Sequence, residues 1–302
     1  MKRSITIVLI LVLLGVGILV LLNALYKKAP EPVAPDTADI KHEIIGKSVE
    51  GRDIEAYIYL PRPVSTGAEA DGKAGGDGNT RLMFVGGIHG GYEWNSVLLS
   101  YQFMDYLEEN PTVIPQNLTI AIIPSANPDG LYKVIGKEGR FTISDVPTKE
   151  QALGTGRFNA RGVDLNRNFD CKWKPESTWQ NKVVSAGSGA FSEPEAAAIR
   201  DFVSKYNPAA AVFWHSKANA VYASECTKGI IPKTLDIMNA YAEASGYKAV
   251  KSFDEYEISG DAEGWLASIN IPAITVELKT HETVEWEQNL AGIKALFNYY
   301  TQ

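Results

Sequence analysis

The sequence predicts an α/β fold: a mixed, mostly parallel central sheet with helices on both faces, in a single domain behind an N-terminal transmembrane helix. Three observations lead to this prediction. Short apolar runs alternate along the chain with stretches of helical periodicity. A long uncharged apolar run occupies the N-terminus, and the chain beyond it is long enough for one large core. The apolar fraction of 45% and charged fraction of 22% are ordinary for a folded protein.

Five apolar runs are predicted to be buried strands, and four stretches are predicted to be helices. The predicted strands are Ile54–Leu60, Arg81–Gly87, Leu118–Pro124, Ala209–Trp214 and Ala273–Leu278. The predicted helices are Trp94–Glu109, Glu193–Tyr206 with Ser192 as its N-cap, Pro232–Ser245 and Val284–Tyr300. Because the strands are continuous apolar runs separated by helices, both faces of the sheet are predicted to be covered.

The N-terminus is predicted to be a membrane anchor comprising residues 1–27. Ser4–Tyr26 carries no charged residue, and a helix of this length spans the ~30 Å hydrocarbon core of a bilayer. A cleaved signal peptide is the alternative, although its apolar region is normally shorter, ~7–15 residues. Two basic residues flank the run on each side, so the positive-inside rule does not decide its orientation. The short N-terminal flank favours an N-terminus on the cytoplasmic side. We expect a single-pass protein of the cell membrane whose domain, after a Pro-rich linker over residues 28–40, lies outside the cytoplasm.

The charge balance excludes one class of partner. The chain has 29 basic and 36 acidic residues, and four of the basic ones flank the apolar run. The remaining 25 basic and 36 acidic residues give the rest of the chain a net charge of −11. A domain this acidic lacks the basic surface that neutralises phosphates, so we expect no nucleic-acid binding.

Polar residues gather at the ends of the predicted strands. His89 and Glu93 follow one strand, His215 follows another, and Glu277 lies at the end of a third. In open α/β sheets, ligands bind beyond the carboxyl ends of the strands. Two imidazoles and a carboxylate, with a further carboxylate as base, are typical of a catalytic metal site. His281 is expected on a surface loop instead.

These residues resemble the zinc metallocarboxypeptidases related to carboxypeptidase A, from about residue 44 to the C-terminus. The motifs that carry the resemblance are, in chain order, Gly46–Arg52, Gly87–His89 with Glu93-Trp94, Asn127–Gly130, Gly162–Phe169 (GVDLNRNF), His215-Ser216 and Thr275–Leu278. The resemblance implies that residues 41–302 form a catalytic domain of this family.

The resemblance implies a site for one Zn²⁺ per chain. His89, Glu93 and His215 would be its ligands, leaving a position for water and substrate. Asp164 would accept a hydrogen bond from His89 and so fix its tautomer. Glu277 would act as general base, taking a proton from the zinc-bound water and passing it to the leaving amine.

The resemblance also implies how the substrate is held. Arg167 and Asn166 would bind a terminal carboxylate. Arg157 would stabilise the oxyanion, with Arg161 as the rival candidate. Tyr256 would close over the substrate terminus, and a packed aromatic residue is the alternative for it.

A further substrate contact concerns the leaving side chain. By the family's spacing, Glu263 lies two residues before Trp265 and therefore at the base of the pocket for that side chain. An acid there would favour lysine, arginine or the free amine of diaminopimelate. Asp261 is the competing acid, and a solvated loop carrying both acids is the third possibility.

One departure from the family pattern affects the metal ligands. The family usually has His-x-x-Glu, whereas this chain has one residue more, His89-Gly90-Gly91-Tyr92-Glu93. Positions i and i+4 of a helix share a face just as i and i+3 do, and glycine permits backbone angles closed to other residues. We therefore expect zinc to bind.

The two cysteines are expected at one rim of the cleft. Cys171 comes four residues after Arg167, and Cys226 eleven after His215. Outside the cytoplasm a disulfide between them is reasonable. Free buried thiols are the alternative.

The resulting functional prediction is a membrane-anchored zinc carboxypeptidase that hydrolyses the C-terminal peptide bond of peptides. Its substrate would be a peptide or muropeptide with a free C-terminal carboxylate. A peptidoglycan stem-peptide carboxypeptidase or amidase of the same fold is the first alternative. A metal-free module that binds C-termini is the second.

Overall fold

The computed structural model of the chain describes residues 39–62, 80–148, 154–180 and 182–302. The predicted membrane anchor lies outside the described residues. Within the ranges described, no helix has both the length and the apolar composition needed to cross a membrane. Asp39 and Ile40, which the sequence assigned to the linker, already belong to the first strand.

The described residues form twelve strands and six helices. The strands are β1 Asp39–Lys47, β2 Asp53–Leu60, β3 Thr80–Val85, β4 Leu118–Ile123, β5 Glu176–Trp179, β6 Lys182–Ser185, β7 Ala210–Ser216, β8 Ala220–Ala223, β9 Glu225–Cys226, β10 Gly229–Ile230, β11 Lys248–Val250 and β12 Ala273–Leu278. The helices are α1 Trp94–Glu109, α2 Pro128–Ile135, α3 Pro194–Tyr206, α4 Pro232–Ser245, α5 Ala262–Ser268 and α6 Trp286–Tyr299.

Eight strands form the central sheet, in the order β1-β2-β4-β3-β7-β12-β8-β11. The four central strands β4, β3, β7 and β12 are parallel, as are β8 and β11. The pairs β1/β2, β2/β4 and β12/β8 are antiparallel. Four of the seven strand pairings are parallel, so the sheet is mixed and mostly parallel, as predicted. Strands β5/β6 and β9/β10 form two separate antiparallel pairs.

Helices cover both faces of this sheet, as predicted. On one face, Phe84 of β3 and Trp214 of β7 pack against Phe103 of α1. On the other face, Phe213 of β7 belongs to a second buried cluster with Phe202 of α3. Because successive strand residues point to opposite faces, the adjacent Phe213 and Trp214 serve different layers of the core.

The predicted strands and helices all occur, with bounds within two residues of those expected. The predicted N-cap of α3 is wrong. This helix begins at Pro194 with Glu193 at the cap position, and the Ser192 hydroxyl bonds to the Glu193 carboxylate instead. Proline already has the backbone angle of a first helical residue and needs no donor there, so it sets the start of the helix.

Candidate active site

Three neighbouring parallel strands bring the candidate catalytic residues together. His89 follows β3, His215 lies near the end of β7, and Glu277 lies near the end of β12. Strands β3, β7 and β12 are adjacent in the sheet, and His215 is paired in register with Glu277. The carboxyl ends of parallel strands share one edge, so these side chains meet there. They line a cleft of about 450 Å³.

The predicted metal ligands form one cluster. Potential ligand atoms of His89, Glu93 and His215 all lie within 4.8 Å of one another. All three residues are buried, and His215 Nδ1 lies 3.1 Å from Glu93 Oε2. The angles of this contact are not those of a hydrogen bond, and that carboxylate oxygen makes no hydrogen bond among the described residues. Two imidazoles and a carboxylate with an unpaired buried oxygen are suited to Zn²⁺.

The extra residue between the first two ligands is accommodated by a single turn of 3₁₀ helix, Gly90–Glu93. Gly90 has φ +46°, and a Cβ there would lie 2.6 Å from the carbonyl oxygen of Gly156. Only glycine fits both the angle and the contact. The turn keeps Glu93 beside His89 and directs Tyr92 to the cleft wall.

Asp164 joins two of the predicted functional groups. It is fully buried, and its Oδ2 accepts a hydrogen bond from Arg157 Nε at 2.9 Å. Its Oδ1 lies 3.5 Å from His89 Nδ1, a buried nitrogen that makes no hydrogen bond within the described residues. Burial, and then the positive charge of Arg157, holds the pKa of His89 well below its usual value, which keeps its imidazole neutral and able to bind a metal.

The two candidate oxyanion residues occupy different places. Arg157 lines the cleft, and its Nη1 lies 3.8 Å from Glu93 Oε1. The Arg161 side chain is 55% exposed and contacts Glu193, 3.5 Å away. Arg157 is therefore the arginine next to the metal ligands.

Glu277 has an electrostatic environment that favours its protonated form. Burial, and then the Glu93 carboxylate, raises the pKa of Glu277 to about 8. Its Oε2 has no hydrogen-bond partner in the described part of the chain. A divalent cation bound nearby would favour the ionised form, because opposite charges lower a carboxyl pKa.

Glu263 lines the cleft as predicted, but its carboxylate is engaged. Glu263 Oε1 lies 3.1 Å from His215 Nε2 and accepts a hydrogen bond from Thr275 Oγ1 at 3.0 Å. Asp261 also lines the cleft and caps α5 by accepting a hydrogen bond from Gly264 N at 2.7 Å. Burial, and then repulsion by Glu263, raises the pKa of Asp261 to about 6.

The predicted carboxylate-binding residues lie at the same cleft. Arg167 Nε and Nη2 donate to the carbonyl oxygen of Thr178 at 3.2 and 3.0 Å, and Nη1 donates to Asn166 O at 2.6 Å. These bonds use three of the five N–H groups of a guanidinium. Asn166 Oδ1 accepts from Ala262 N at 2.8 Å, so its NH₂ end can donate to a substrate. Tyr256 lies half-buried among the cleft-lining residues.

The predicted disulfide is confirmed. Cys171 and Cys226 are bonded, with their Cα atoms 6.0 Å apart. The bond connects the loop after Arg167 to β9, and Cys171 itself lines the cleft. It therefore supports the side of the cleft that holds Arg167.

An aromatic wall of the cleft was missed by the sequence reasoning. Trp179 lies under the Arg157 guanidinium, 4.4 Å from its ring centroid, and its ring is 5.2 Å from that of Tyr92. Tyr92 in turn contacts His281, with ring centroids 4.7 Å apart. The surface position expected for His281 is wrong: it is half-buried, lines the cleft, and lies 2.7 Å from Ser216 Oγ. The sequence signal for this position was that His281 comes only four residues after Glu277, a predicted site residue.

The sheet thus carries at one edge a His–Glu–His cluster of the kind found in catalytic zinc sites. The comparison with protein families is specific: the zinc carboxypeptidase family matches residues 33–294. The chain therefore belongs to the zinc carboxypeptidase family.

Individual relatives are distant. A γ-D-glutamyl-L-diamino acid endopeptidase from Lysinibacillus sphaericus is 25% identical over 67% of this chain and 55% of its own length. The catalytic chain of human carboxypeptidase N is 34% identical over 41% of this chain and 25% of its own length. The chain thus spans only about half, or less, of these relatives. A crystal structure of the murein-tripeptide amidase from Escherichia coli O157 matches 86% of this chain and 92% of its own, with a TM-score of 0.58 and 22% identity. That likeness shows the fold.

Proposed function

We propose that this protein is a zinc-dependent carboxypeptidase that hydrolyses the last peptide bond of substrates with a free C-terminal carboxylate. One observation carries the proposal: a single cleft contains the His–Glu–His cluster, the Glu277 carboxylate and the Arg167 guanidinium. A metal site with a base beside it is suited to amide hydrolysis. An arginine in the same cleft restricts that hydrolysis to bonds near a carboxylate.

The residues of this cleft divide the chemistry between them. His89, Glu93 and His215 would hold the zinc ion, which when bound polarises the scissile carbonyl and lowers the pKa of water. Glu277 takes a proton from the attacking water and transfers it to the leaving amine. Arg157 donates N–H groups to the oxyanion that develops on the carbonyl, held for this role by Asp164.

The other side of the cleft would select the substrate. Arg167 and Asn166 would bind the terminal carboxylate, and Tyr256 would close over it. Asp261 and Glu263 give this side a negative charge, which favours a cationic leaving side chain: lysine, arginine or diaminopimelate. Since Glu263 is engaged with His215, Asp261 is the acid we assign to that side chain.

A second candidate is a peptidoglycan stem-peptide hydrolase. Two comparisons favour it: one relative is named for cleaving γ-D-glutamyl-L-diamino acid bonds, and a murein-tripeptide amidase shares the fold. A diamino acid carries both a carboxylate and an ammonium group. A cleft with Arg167 and Asp261 could hold both groups.

We also propose that the domain works outside the cytoplasm, attached to the cell membrane by residues 1–27. The uncharged stretch Ser4–Tyr26 supports an anchor. The disulfide between Cys171 and Cys226 supports an oxidising compartment. Membrane fractionation of cells producing the full chain tests this: recovery of the protein in the soluble fraction would refute it.

A two-part experiment tests the enzymatic proposal. Metal analysis of the purified protein should find about one zinc per chain. A panel of chromogenic C-terminal peptides should be run beside purified muropeptides, with and without a chelator. Chelator-sensitive cleavage of peptides supports the first candidate, and cleavage of muropeptides alone supports the second. A protein that binds C-terminal peptides without zinc and without cleavage would be the metal-free module.

A further inference from the structure

We propose that Glu263 is a positioning residue for the metal ligand His215. It raises zinc affinity by orienting that imidazole through Nε2, the ring nitrogen that faces away from the other two ligands. This inference rests on the proposed function only in taking zinc as the ion held by His89, Glu93 and His215. It gives Glu263 a role that does not depend on any substrate.

The first support is the geometry of the His215 ring. Its Nε2 lies 3.1 Å from Glu263 Oε1, while its Nδ1 lies 3.1 Å from Glu93 Oε2. One ring nitrogen therefore faces a carboxylate outside the metal cluster, and the other faces a fellow ligand. An N–H on Nε2 that donates to Glu263 leaves Nδ1 as the unprotonated nitrogen for a metal.

The second support is that Glu263 is itself held in place. Its Oε1 also accepts a hydrogen bond from Thr275 Oγ1 at 3.0 Å, and Thr275 lies on β12, the strand beside that of His215. The backbone of the neighbouring Ala262 donates to Asn166 Oδ1 at 2.8 Å. Thr275 thus holds the carboxylate directly, and the Ala262 bond holds the backbone next to it.

The third support is burial. Glu263 is only 2% exposed, and a buried carboxylate is costly unless positive charge lies near it. Among the described residues, Glu263 forms an ion pair with His215. A divalent ion on the opposite side of that ring supplies lasting positive charge, so metal and carboxylate stabilise each other through the imidazole.

An acid also lies beside the other histidine, but at the opposite ring nitrogen. His89 Nδ1 lies 3.5 Å from Asp164 Oδ1, a longer contact than the 3.1 Å between His215 and Glu263. Glu263 therefore makes the closer of the two carboxylate contacts behind the histidine ligands. Its position two residues before Trp265 had suggested an acid at the base of the side-chain pocket. Sequence spacing does not show which way a side chain points.

The test uses zinc alone and the purified full chain. The protein is stripped with a chelator, and its zinc affinity is measured by competition with a chromogenic chelator for wild type and Glu263→Gln. Glutamine keeps the shape but removes the charge. Glu255→Gln is the matched control, since Glu255 is an exposed acid lining the same cleft. The visible spectrum of the cobalt-substituted protein provides a second reading of ligand orientation.

We expect Glu263→Gln to weaken zinc binding about tenfold or more, as loss of such a partner commonly does, and to change the cobalt spectrum. Glu255→Gln should stay within about twofold of wild type. Zinc affinity unchanged in folded Glu263→Gln would overturn the inference. If that variant does not fold, Thr275→Val removes the other bond to the same oxygen and should weaken zinc binding in the same direction; no change there would equally overturn it.

These outcomes are separable from those of the proposed function. A wild type that binds zinc but cleaves no peptide or muropeptide would refute the proposed function and leave the affinity comparison intact. A wild type that binds no zinc would refute both.

Discussion

Replacing Glu277 by glutamine should nearly abolish turnover while leaving the metal bound. The substitution keeps the shape of the side chain and removes its ability to accept a proton. General-base catalysis contributes about 10²- to 10⁴-fold, which corresponds to about 3–5 kcal/mol of activation free energy. Zinc should stay bound because His89, Glu93 and His215 are unchanged.

The same substitution has an effect on stability that can be predicted in sign. In the folded chain without metal, burial and then Glu93 raise the pKa of Glu277 to about 8. A raised carboxyl pKa means that the folded state binds the proton more tightly than the unfolded state does. The contribution of Glu277 to the free energy of unfolding is therefore complete at low pH and is lost as the pH rises towards about 8. Glu277→Gln does not titrate, so its metal-free form should lose less stability over this range.

Two measurements check this prediction. The first is kcat with saturating zinc, with bound zinc determined on the same sample and Glu255→Gln as the control. The second is the melting temperature of metal-free wild type and variant across the pH range. Turnover within threefold of wild type would refute the assignment of the base. If the metal-free variant lost as much stability as wild type when the pH is raised, the raised pKa of Glu277 would not be the cause of that loss.

Three further predictions follow from the cleft and its surroundings. C-terminal amidation of a peptide substrate should lower kcat/KM about a hundredfold, because the two N–H groups of Arg167 that make no bond within the protein lose their charged partner in a desolvated site; equal rates would indicate an endopeptidase. Asp261→Asn, which preserves the helix cap, should reduce the kcat/KM ratio of C-terminal lysine over leucine more than Glu263→Gln does, and the reverse order would reassign the pocket acid. Gly156→Ala should lower stability by about 1–3 kcal/mol in denaturant unfolding, since its Cβ would lie 2.8 Å from a backbone oxygen of α2; Gly154→Ala, which meets nothing within 4 Å, should be near neutral.

The elements that sequence alone predicted are those with continuous apolar runs. Strand β4, for example, follows the predicted bounds to within one residue because it is buried along its whole length and is almost entirely apolar. The strands of the central sheet that were missed, β1, β8 and β11, lie towards its two edges, and the other missed strands form the two separate pairs. Strand β1 alternates irregularly between exposed and partly buried residues, and β11 has only three residues. Such strands are held by pairing with a neighbour, which leaves little trace in the local sequence.

Some parts of the candidate site could also be predicted from the sequence, and others could not. The cluster of His89, Glu93 and His215 could be predicted because its residue types and strand-end positions are visible along the chain. The contact between Glu263 and His215 joins residues 48 positions apart, and that between Tyr92 and Trp179 depends on the separate β5/β6 pair. Both follow from side-chain direction in the folded chain. Spacing indicated that these residues lie near the cleft but not what they touch.

Asp164 makes the two halves of the proposed chemistry interdependent. One carboxylate meets both Arg157, which would bind the oxyanion, and His89, which would bind the metal. Substitutions at Arg157 and His89 therefore should not add, because each changes the partner that the other depends on. By the same reciprocity, a ligand that draws on Arg157 alters the affinity for zinc, and zinc alters the affinity for that ligand by an equal factor. Under the proposed function, the affinities for substrate and for metal would therefore be coupled.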